Sequence, residues 1–197
     1  MIYLRTTDVQ GVSRDGFVWP KTVGARVTAP DWDGGLKKCG GGLHGLPNGA
    51  GDGSLLDWSS NALWWVVDDE DGPHTAVFDG KAKFAACVIR YFGDRNGATD
   101  YLIANGADAA KVIGAFLTGG DWSILTGGHW SILTGGDRST LTGGYRSTLS
   151  GGRWSTLTGG DWSILTGGDR STLTGGDWST LTGGNCSTLT GGDWSIL

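Results

Sequence analysis

Hydrophobic and polar positions repeat every eight residues from residue 118 to residue 197. Ten consecutive units follow the pattern Thr-Gly-Gly-Asp-Trp-Ser-Ile-Leu with variations, and the serine and leucine slots never change. The slot before serine holds Trp, Arg or Cys, and the slot between serine and leucine holds Ile or Thr. A fixed short period of this kind is typical of a solenoid, in which a unit buries its apolar face only against its neighbours.

The variable slots predict which side chains point outward. Side chains alternate along a strand, so serine and leucine share one face, and the Trp, Ile/Thr and Thr slots share the other. The Trp slot also holds Arg138, Arg146 and Arg170. An unpaired guanidinium inside a narrow coil would be very costly, so we expect serine and leucine to point inward.

Each unit is predicted to form a five-residue strand, such as residues 122–126, followed by a Gly-Gly-Asp turn. Glycine would supply the positive φ angles that a tight corner requires. Two units would close a 16-residue coil, and ten units would give an all-β solenoid of about five coils, stacked over about 24 Å at strand spacing. Two opposed leucine columns would form its core, and serine hydroxyls could hydrogen-bond along the axis.

Stacking alternate units predicts two outer columns of planar side chains. One column holds Trp122, Arg138, Trp154, Arg170 and Cys186, and the other holds Trp130, Arg146, Trp162, Trp178 and Trp194. Cation–π contacts of about 0.5–1 kcal/mol each are expected along such ladders. The ladders could serve only to stabilise the surface, or they could form a face that binds a partner chain or a ligand.

Residues 1–117 are predicted to form a small α+β domain that caps the N-terminal end of the solenoid of residues 118–197. Runs rich in apolar and β-branched residues predict strands at residues 2–6, 16–19, 25–28, 63–67, 74–78 and 83–90. A helix is predicted over residues 99–105, with Gly106 as its stop and residues 107–113 continuing helical.

Charge and hydropathy narrow the classes of partner. The net charge is −5, and neither part of the chain carries the basic excess that nucleic-acid binding needs. No apolar run approaches the length of a membrane span, and the N-terminal residues lack a signal-peptide pattern. Three scattered cysteines do not form a disulfide framework. We therefore expect a cytoplasmic or virion-associated protein with no nucleic-acid partner and no membrane span.

Candidate chemistry in residues 1–117 centres on a glycine-rich segment, Lys-Cys-Gly-Gly-Gly-Leu-His-Gly-Leu-Pro, at residues 38–47. Cys39, His44, His74 and Cys87 could supply four zinc ligands, but no pair has close Cys-x-x-Cys spacing. Cys39 and His44 could also act as nucleophile and base. The simpler interpretation is a glycine-rich loop with a buried thiol and a hydrogen-bonded imidazole, so no enzyme activity, metal or cofactor is expected.

Two stretches resemble known families. Residues 138–149, Arg-Ser-Thr-Leu-Thr-Gly-Gly-Tyr-Arg-Ser-Thr-Leu, resemble the octapeptides of bacterial ice nucleation proteins, and the likeness covers the whole repeat array. The Cys-x-x-Gly-Leu-His stretch ending at His44 is similar to an uncharacterised domain that precedes octapeptide-like repeats in bacterial and bacteriophage proteins, and it implies no known activity.

The resemblance to ice nucleation proteins implies that outward Thr-x-Thr rows order water. The repeats depart from that family in three ways. Isoleucine replaces the first threonine in four units, bulky Trp or Arg borders every row, and five coils make a small template. The matching pairs are Thr140/Thr142, Thr156/Thr158, Thr172/Thr174, Thr180/Thr182 and Thr188/Thr190, with Thr148/Ser150 nearly so.

The favoured hypothesis is a non-enzymatic structural protein that assembles with copies of itself. The sequence stops on an inward leucine of a repeat, so Ser195, Ile196 and Leu197 are expected to form a C-terminal contact between copies, as a dimer or a filament. The Trp, Arg and Thr faces would contribute to this association. The alternatives are a water-ordering surface of the ice-binding type, and a small enzyme or metal site around Cys39 and His44.

Overall fold

The structure is a computed structural model that describes residues 1–13, 16–35, 40–76 and 80–197. The chain divides into two compact units, Met1–Asp108 and Ala109–Leu197. None of the helices in these described ranges is long and apolar enough to span a membrane.

The first unit is built mainly of strands. They are β1 (Ile2–Thr7), β2 (Arg26–Thr28), β3 (Leu43–Pro47), β4 (Leu63–Asp68), β5 (His74–Ala76), β6 (Ala82–Phe84) and β7 (Ala86–Gly93). These strands form one antiparallel sheet in the order β2-β7-β4-β1-β3-β6-β5. One α-helix, α1 (Arg95–Ala104), follows the last strand, and a short 3-10 turn covers Gly53–Leu55.

The first unit is therefore mainly a β-sheet rather than the predicted α+β domain, because a single α-helix accompanies seven strands in its described residues. Helix α1 begins earlier than predicted, because the Asp94 carboxylate accepts a hydrogen bond from the Gly97 amide at 2.8 Å and caps the first turn. The predicted helical continuation over residues 107–113 is wrong: this stretch consists of turns.

Two strand predictions also need correction. The single predicted strand at residues 83–90 is two strands, β6 and β7, separated at Ala85, whose carbonyl accepts from the Ala29 amide at 2.8 Å. Residues 16–19 make only an isolated bridge, between Val12 and Val18. Strand β3 was not predicted because its sequence is rich in glycine and proline. The predicted strand 74–78 is seen as β5, and residues 77 and 78 lie outside the described residues.

Aromatic packing fills the core of the first unit. Tyr3 of β1 stacks on Phe84 of β6, with ring centroids 4.6 Å apart. Trp65 of β4 lies against Trp19, and its indole nitrogen donates to the Thr7 hydroxyl at 2.8 Å. Tyr3, Trp19 and Trp65 are all almost completely buried. The sheet is thus held by large rings whose polar atoms are partly satisfied within the core.

Asp69 is a buried carboxylate at the end of β4. Its oxygens accept hydrogen bonds from the Tyr3 hydroxyl at 2.8 Å and from the N-terminal ammonium at 2.7 Å, and His74 Nδ1 lies 2.9 Å away. Burial by itself would raise the pKa of Asp69, but the hydrogen bonds from the ammonium and from Tyr3 outweigh it and hold the pKa below its usual range.

The lowered pKa of Asp69 predicts an acid-sensitive contribution to stability. A carboxylate whose pKa is depressed on folding stabilises the folded state above its unfolded pKa of about 3.9, and that stability is lost as pH falls through the lower folded pKa. We expect Asp69→Asn to destabilise the first unit by about 1–3 kcal/mol at neutral pH and to flatten the pH dependence below about pH 4. The free energy of unfolding in urea is measured between pH 2 and pH 7, with the indole NMR signal of Trp65 as the probe. A variant whose stability depends on pH as the wild type's does would contradict this prediction.

The second unit is a β-solenoid of about five coils. Its strands are β8 (Phe116–Thr118), β9 (Ile124–Thr126), β10 (Ile132–Thr134), β11 (Thr140–Thr142), β12 (Thr148–Ser150), β13 (Thr156–Thr158), β14 (Ile164–Thr166), β15 (Thr172–Thr174), β16 (Thr180–Thr182) and β17 (Thr188–Thr190). Even-numbered and odd-numbered strands form two separate parallel five-stranded sheets. Each strand pairs with the strand 16 residues further on, as Leu141 does with Leu157. The predicted coil of two octapeptides is confirmed.

Leucine and serine fill the interior, as predicted. Leucines of both sheets pack into one cluster and are completely buried from Leu133 to Leu173. Serines from Ser131 to Ser179 are equally buried. Ser131 and Ser147 share a hydrogen bond of 3.1 Å between their hydroxyls along the axis. The two sheets therefore face each other across a thin leucine core.

The corner of each coil differs from the prediction. The strand has three residues rather than five, and the residue with positive φ is the Trp, Arg or Cys before serine, as in Trp162 with φ of 60°. No glycine of the fully described repeats has a positive φ. Glycine is needed for space: a Cβ on Gly159 would lie 2.7 Å from the Ser163 Cβ, and one on Gly160 would lie 2.9 Å from the backbone nitrogen of Tyr145 in the previous coil.

Candidate functional site

The two sheets of the solenoid present different outer faces. The threonine face, formed by the outward side chains of β9, β11, β13, β15 and β17, carries four consecutive Thr-x-Thr rows. The rows pair in register, so each threonine lies beside the threonine of the next coil. The rows are Thr140/Thr142, Thr156/Thr158, Thr172/Thr174 and Thr188/Thr190. The fifth predicted pair, Thr180/Thr182, lies on the opposite sheet, in β16.

The opposite sheet carries most of the outward apolar residues. We define the apolar face as the outward side chains of β8, β10, β12, β14 and β16, together with the corner column that begins at Trp130. The first outward column of this sheet is Phe116, Ile132, Thr148, Ile164 and Thr180, in register from coil to coil, and Ile196 bridges to Thr180. Only one of the four repeat isoleucines, Ile124, belongs to the threonine face. Alternate-unit stacking thus places three of the four repeat isoleucines on the apolar face, where they alternate with Thr148 and Thr180 in the first outward column.

A continuous aromatic strip runs along the corner of the apolar face. Trp162 stacks on Trp178 with ring centroids 5.3 Å apart and planes 9° from parallel, and Trp178 stacks on Trp194 at 5.6 Å and 13°. The Arg146 guanidinium carbon lies 4.8 Å above the Trp130 ring and 5.6 Å from the Trp162 ring, so it links the two. About half of the surface of Trp162 and Trp178 remains exposed.

The second column, at the corner that leads into the threonine face, pairs tryptophan with arginine. Arg138 lies over the Trp122 ring and Arg170 over the Trp154 ring, both at 4.7 Å from the ring centroid. Cys186, an exposed free thiol, occupies the last position of this column. Here the ring faces are covered by guanidinium groups, so this column is more polar than the tryptophan strip.

The residue before the Trp slot links successive coils. The Asp121 carboxylate accepts from the Asp137 amide at 2.8 Å, and the Asp177 carboxylate accepts from the Asp193 amide at 2.8 Å. In the second octapeptide the same role falls to His129, whose Nδ1 accepts from the Tyr145 amide at 2.9 Å. These contacts satisfy amides at the corners and hold the outer columns in register.

The C-terminal segment continues the pattern. The Ile196 amide donates to the Ser179 carbonyl at 2.9 Å, and the Ser195 hydroxyl donates to the Gly176 carbonyl at 3.0 Å. Ile196 and Leu197 are mostly exposed. Association between copies through Ser195, Ile196 and Leu197 remains a prediction.

The metal and catalytic candidates of the first unit lie in different settings. Cys87, on β7, is buried in the core, and burial raises the pKa of its thiol to about 12. His44 is on β3, His74 is on β5 beside Asp69, and Cys39 lies outside the described residues. In the described part of the chain, no three His, Cys, Asp or Glu side chains are grouped so that they could hold a metal ion.

Sequence reasoning missed Arg5, which lines a cleft of the first unit together with His44. Its position in β1 could have indicated a buried site. Side chains alternate along a strand, so Tyr3, Arg5 and Thr7 share one face, on which Tyr3 and Thr7 are buried. A charged residue between two buried ones on the inward face of a strand indicates a site rather than solvent exposure.

Comparison of the chain with protein-family models, with curated proteins and with solved structures found no match in any of the three.

Proposed function

We propose that the solenoid is a non-enzymatic structural module that self-associates by packing the apolar face of one copy against the same face of a second. The observation that carries this proposal is the strip of Trp162, Trp178 and Trp194, exposed and stacked in order beside the column of Ile164 and Ile196. A contiguous exposed apolar surface on a folded protein marks an interaction surface. The stacked rings are already ordered, so little side-chain entropy is lost when they are covered.

A second copy of the chain is the partner that best fits this surface. The outward groups of the apolar face recur at the spacing of successive coils, about 4.8 Å. An identical solenoid presents the same spacing, so its outward groups can match this row over several coils. Two copies related by a two-fold axis would each offer the same patch to the other, which is the usual arrangement of a homodimer.

The size of the face predicts weak association. Five coils span about 24 Å, and a width of about 20 Å gives about 1,000 Å² buried in total, which is at the low end for specific interfaces. We therefore expect association that depends on concentration in the micromolar range rather than a permanent dimer.

The test is a pair of double variants with the same residue changes on opposite faces. Trp178→Asn with Ile164→Thr alters the apolar face, and Trp154→Asn with Ile124→Thr makes equivalent changes around the threonine face. Asparagine is chosen because it tolerates the positive φ of the Trp slot. We expect the first variant to weaken self-association about tenfold or more and the second to leave it nearly unchanged, as measured by sedimentation equilibrium. A monomeric wild type at high concentration, or equal weakening by both variants, would contradict the proposal.

The threonine face supports a second candidate function, an ordered water layer of the ice-binding type. Four consecutive Thr-x-Thr rows in register form a rigid grid with spacings of about 4.8 Å across the strands and about 6.7 Å along them. Each row offers hydroxyl and methyl groups on a flat surface. The resemblance of the repeats to bacterial ice nucleation proteins agrees with this arrangement.

A droplet-freezing assay tests the second candidate with matched lysine variants. Thr156→Lys with Thr172→Lys interrupts the two central rows of the threonine face, and Thr148→Lys with Thr180→Lys places the same charges on the other sheet. We expect the wild type to raise the droplet freezing temperature above that of buffer, the first variant to abolish the shift, and the second to retain it. Absence of any shift for the wild type would remove this candidate without affecting the self-association proposal.

A further inference from the structure

A cleft of about 940 Å³ lies in the first unit, and its described lining residues fall between Leu4 and Lys81. Arg5, His44 and Lys81 line it, alongside apolar side chains that include Val12, Phe17, Leu43 and Leu55. Polar and apolar side chains contribute about equally to its lining. A concave site of this size, in which polar groups lie beside apolar side chains, is a candidate small-molecule binding site.

Arg5 carries a guanidinium that has no carboxylate partner among the described residues. Its plane stacks on Trp19, with the guanidinium carbon 3.8 Å from the ring centroid, and Nη1 donates to the His44 carbonyl at 3.3 Å. The Nε atom is buried and has no hydrogen-bond acceptor. Within the described ranges, no carboxylate forms an ion pair with Arg5. Burial lowers the pKa of Arg5 to about 9, since nearby charge does little to offset its loss of water.

His44 adds a second buried nitrogen without a partner. Its Nε2 atom has no hydrogen-bond partner in the described part of the chain, and the residue pairs with Lys83 across β3 and β6. Burial, followed by the positive charges of Lys81, Arg5 and Lys83, lowers the pKa of His44 to about 4. The imidazole is therefore neutral at physiological pH, and it can offer Nε2–H as a donor in an electropositive corner of the cleft.

An unpaired buried guanidinium and an unpaired imidazole nitrogen both reduce stability. Both residues line the same cleft, although the two nitrogen atoms are themselves covered. A ligand that enters the cleft and displaces the atoms over them satisfies both together. The donor set requires an anion, and the planar fork of a guanidinium matches the two oxygens of a carboxylate. Asp8, Asp31 and Asp57 also line the cleft and would repel a group with two negative charges. The apolar side chains of the lining, among them Val12, Phe17 and Leu43, suit an apolar body on the ligand.

We propose that the first unit binds an organic monocarboxylate in this cleft, with the carboxylate held in the plane of the Arg5 guanidinium by Nε and Nη2 and by Nε2 of His44. The apolar part of the ligand packs against Val12, Phe17 and Leu43. Trp19 fixes the guanidinium plane from the side that the ligand does not use, so it acts as a positioning residue.

Binding is measured on the full chain by titrating hexanoate and benzoate while recording the Arg5 Nε–H signal by NMR. Hexanol, which is uncharged and of matched length, is the control compound. We expect either carboxylate to shift the Nε–H signal in a saturable manner and hexanol to leave it unmoved. A wild type that shows no saturable shift with either carboxylate overturns the proposal.

Two substitutions then assign the contact to Arg5. Arg5→Met removes the charge, and Arg5→Lys keeps the charge but removes the fork. We expect both to weaken hexanoate binding, measured by calorimetry, about tenfold or more, while Lys21→Met, at an exposed cation outside the cleft, changes nothing. The Trp65 indole signal reports whether the first unit is folded; if Arg5→Met does not fold, Arg5→Lys decides. Unchanged affinity in a folded Arg5 variant overturns the proposal.

Discussion

Gly160→Ala is expected to destabilise the solenoid by about 1–3 kcal/mol or more, whereas Gly120→Ala is expected not to lower its stability. Both residues are the second glycine of a repeat, and both have a backbone that alanine adopts without strain. They differ in what a Cβ would meet. At Gly160 it would lie 2.9 Å from the Tyr145 nitrogen and 3.0 Å from the Gly144 carbonyl carbon, while at Gly120 nothing lies within 4 Å.

The clash at Gly160 cannot be relieved by rotating a side chain, because the atoms that a Cβ would meet belong to the backbone of the previous coil. Relief would require the two coils to separate. That would break the hydrogen bond of 3.3 Å from the Gly160 amide to the Gly144 carbonyl, along with the neighbouring hydrogen bonds between the coils. Urea unfolding followed by the indole signals of Trp162 and Trp178 measures the difference. Equal stability of the two variants would show that glycine serves chain flexibility at these corners and not the close approach of coils.

Leu157→Ala is expected to cost about 2–5 kcal/mol of unfolding free energy, which would make it one of the most damaging single changes in the solenoid. Leu157 is completely buried and packs in the leucine cluster that both sheets share. Because each coil contacts only its neighbours, a cavity in the middle of the stack weakens both adjoining interfaces. Leu197→Ala is the matched control, since Leu197 is mostly exposed and its truncation should cost well under 1 kcal/mol. Comparable losses from the two changes, measured by urea unfolding, would contradict a continuous leucine core.

The solenoid could be predicted from the sequence because its signals are repeated ten times. The occurrence of Arg138 and Arg170 in the Trp slot determined that serine and leucine point inward, and the burial of Leu157 and Ser155 confirms it. The corner could not be predicted in the same way. Glycine can serve either to adopt a positive φ or to let two backbones approach closely. Only the structure shows that the repeat glycines allow close approach, and that the residue in the Trp slot has the positive φ.

The outer faces were only partly predictable. The Thr-x-Thr rows and the two corner columns follow from the repeat itself. The placement of three isoleucines on one sheet depends on the pairing of strands 16 residues apart. Ile132 and Ile164 then lie on one sheet, and Thr140 and Thr156 lie on the other. Each unit alone contains no hint of this division, because the same slot holds Ile or Thr.

The first unit could be predicted less well, since none of its patterns repeats. The buried strand β4 was evident from its apolar composition, but β3 was hidden by glycine and proline in a sequence that resembles a loop. Arg5 was overlooked because charged residues are normally exposed. Its role depends on Trp19 and His44, which are distant in sequence and meet Arg5 only when β1 and β3 pair.

Cross-linking through single cysteines tests most directly whether the apolar face joins two copies. In a background of Cys39→Ser and Cys186→Asn, the remaining Cys87 is buried and its raised pKa keeps the thiol unreactive. Thr148→Cys then places a thiol in the middle of the apolar face, and Thr156→Cys places one in the middle of the threonine face. With a flexible bismaleimide, we expect Thr148→Cys to give covalent dimers, in a proportion that rises with protein concentration. We expect Thr156→Cys to remain monomeric. Dimers formed as readily by Thr156→Cys, or by neither variant, would contradict self-association through the apolar face.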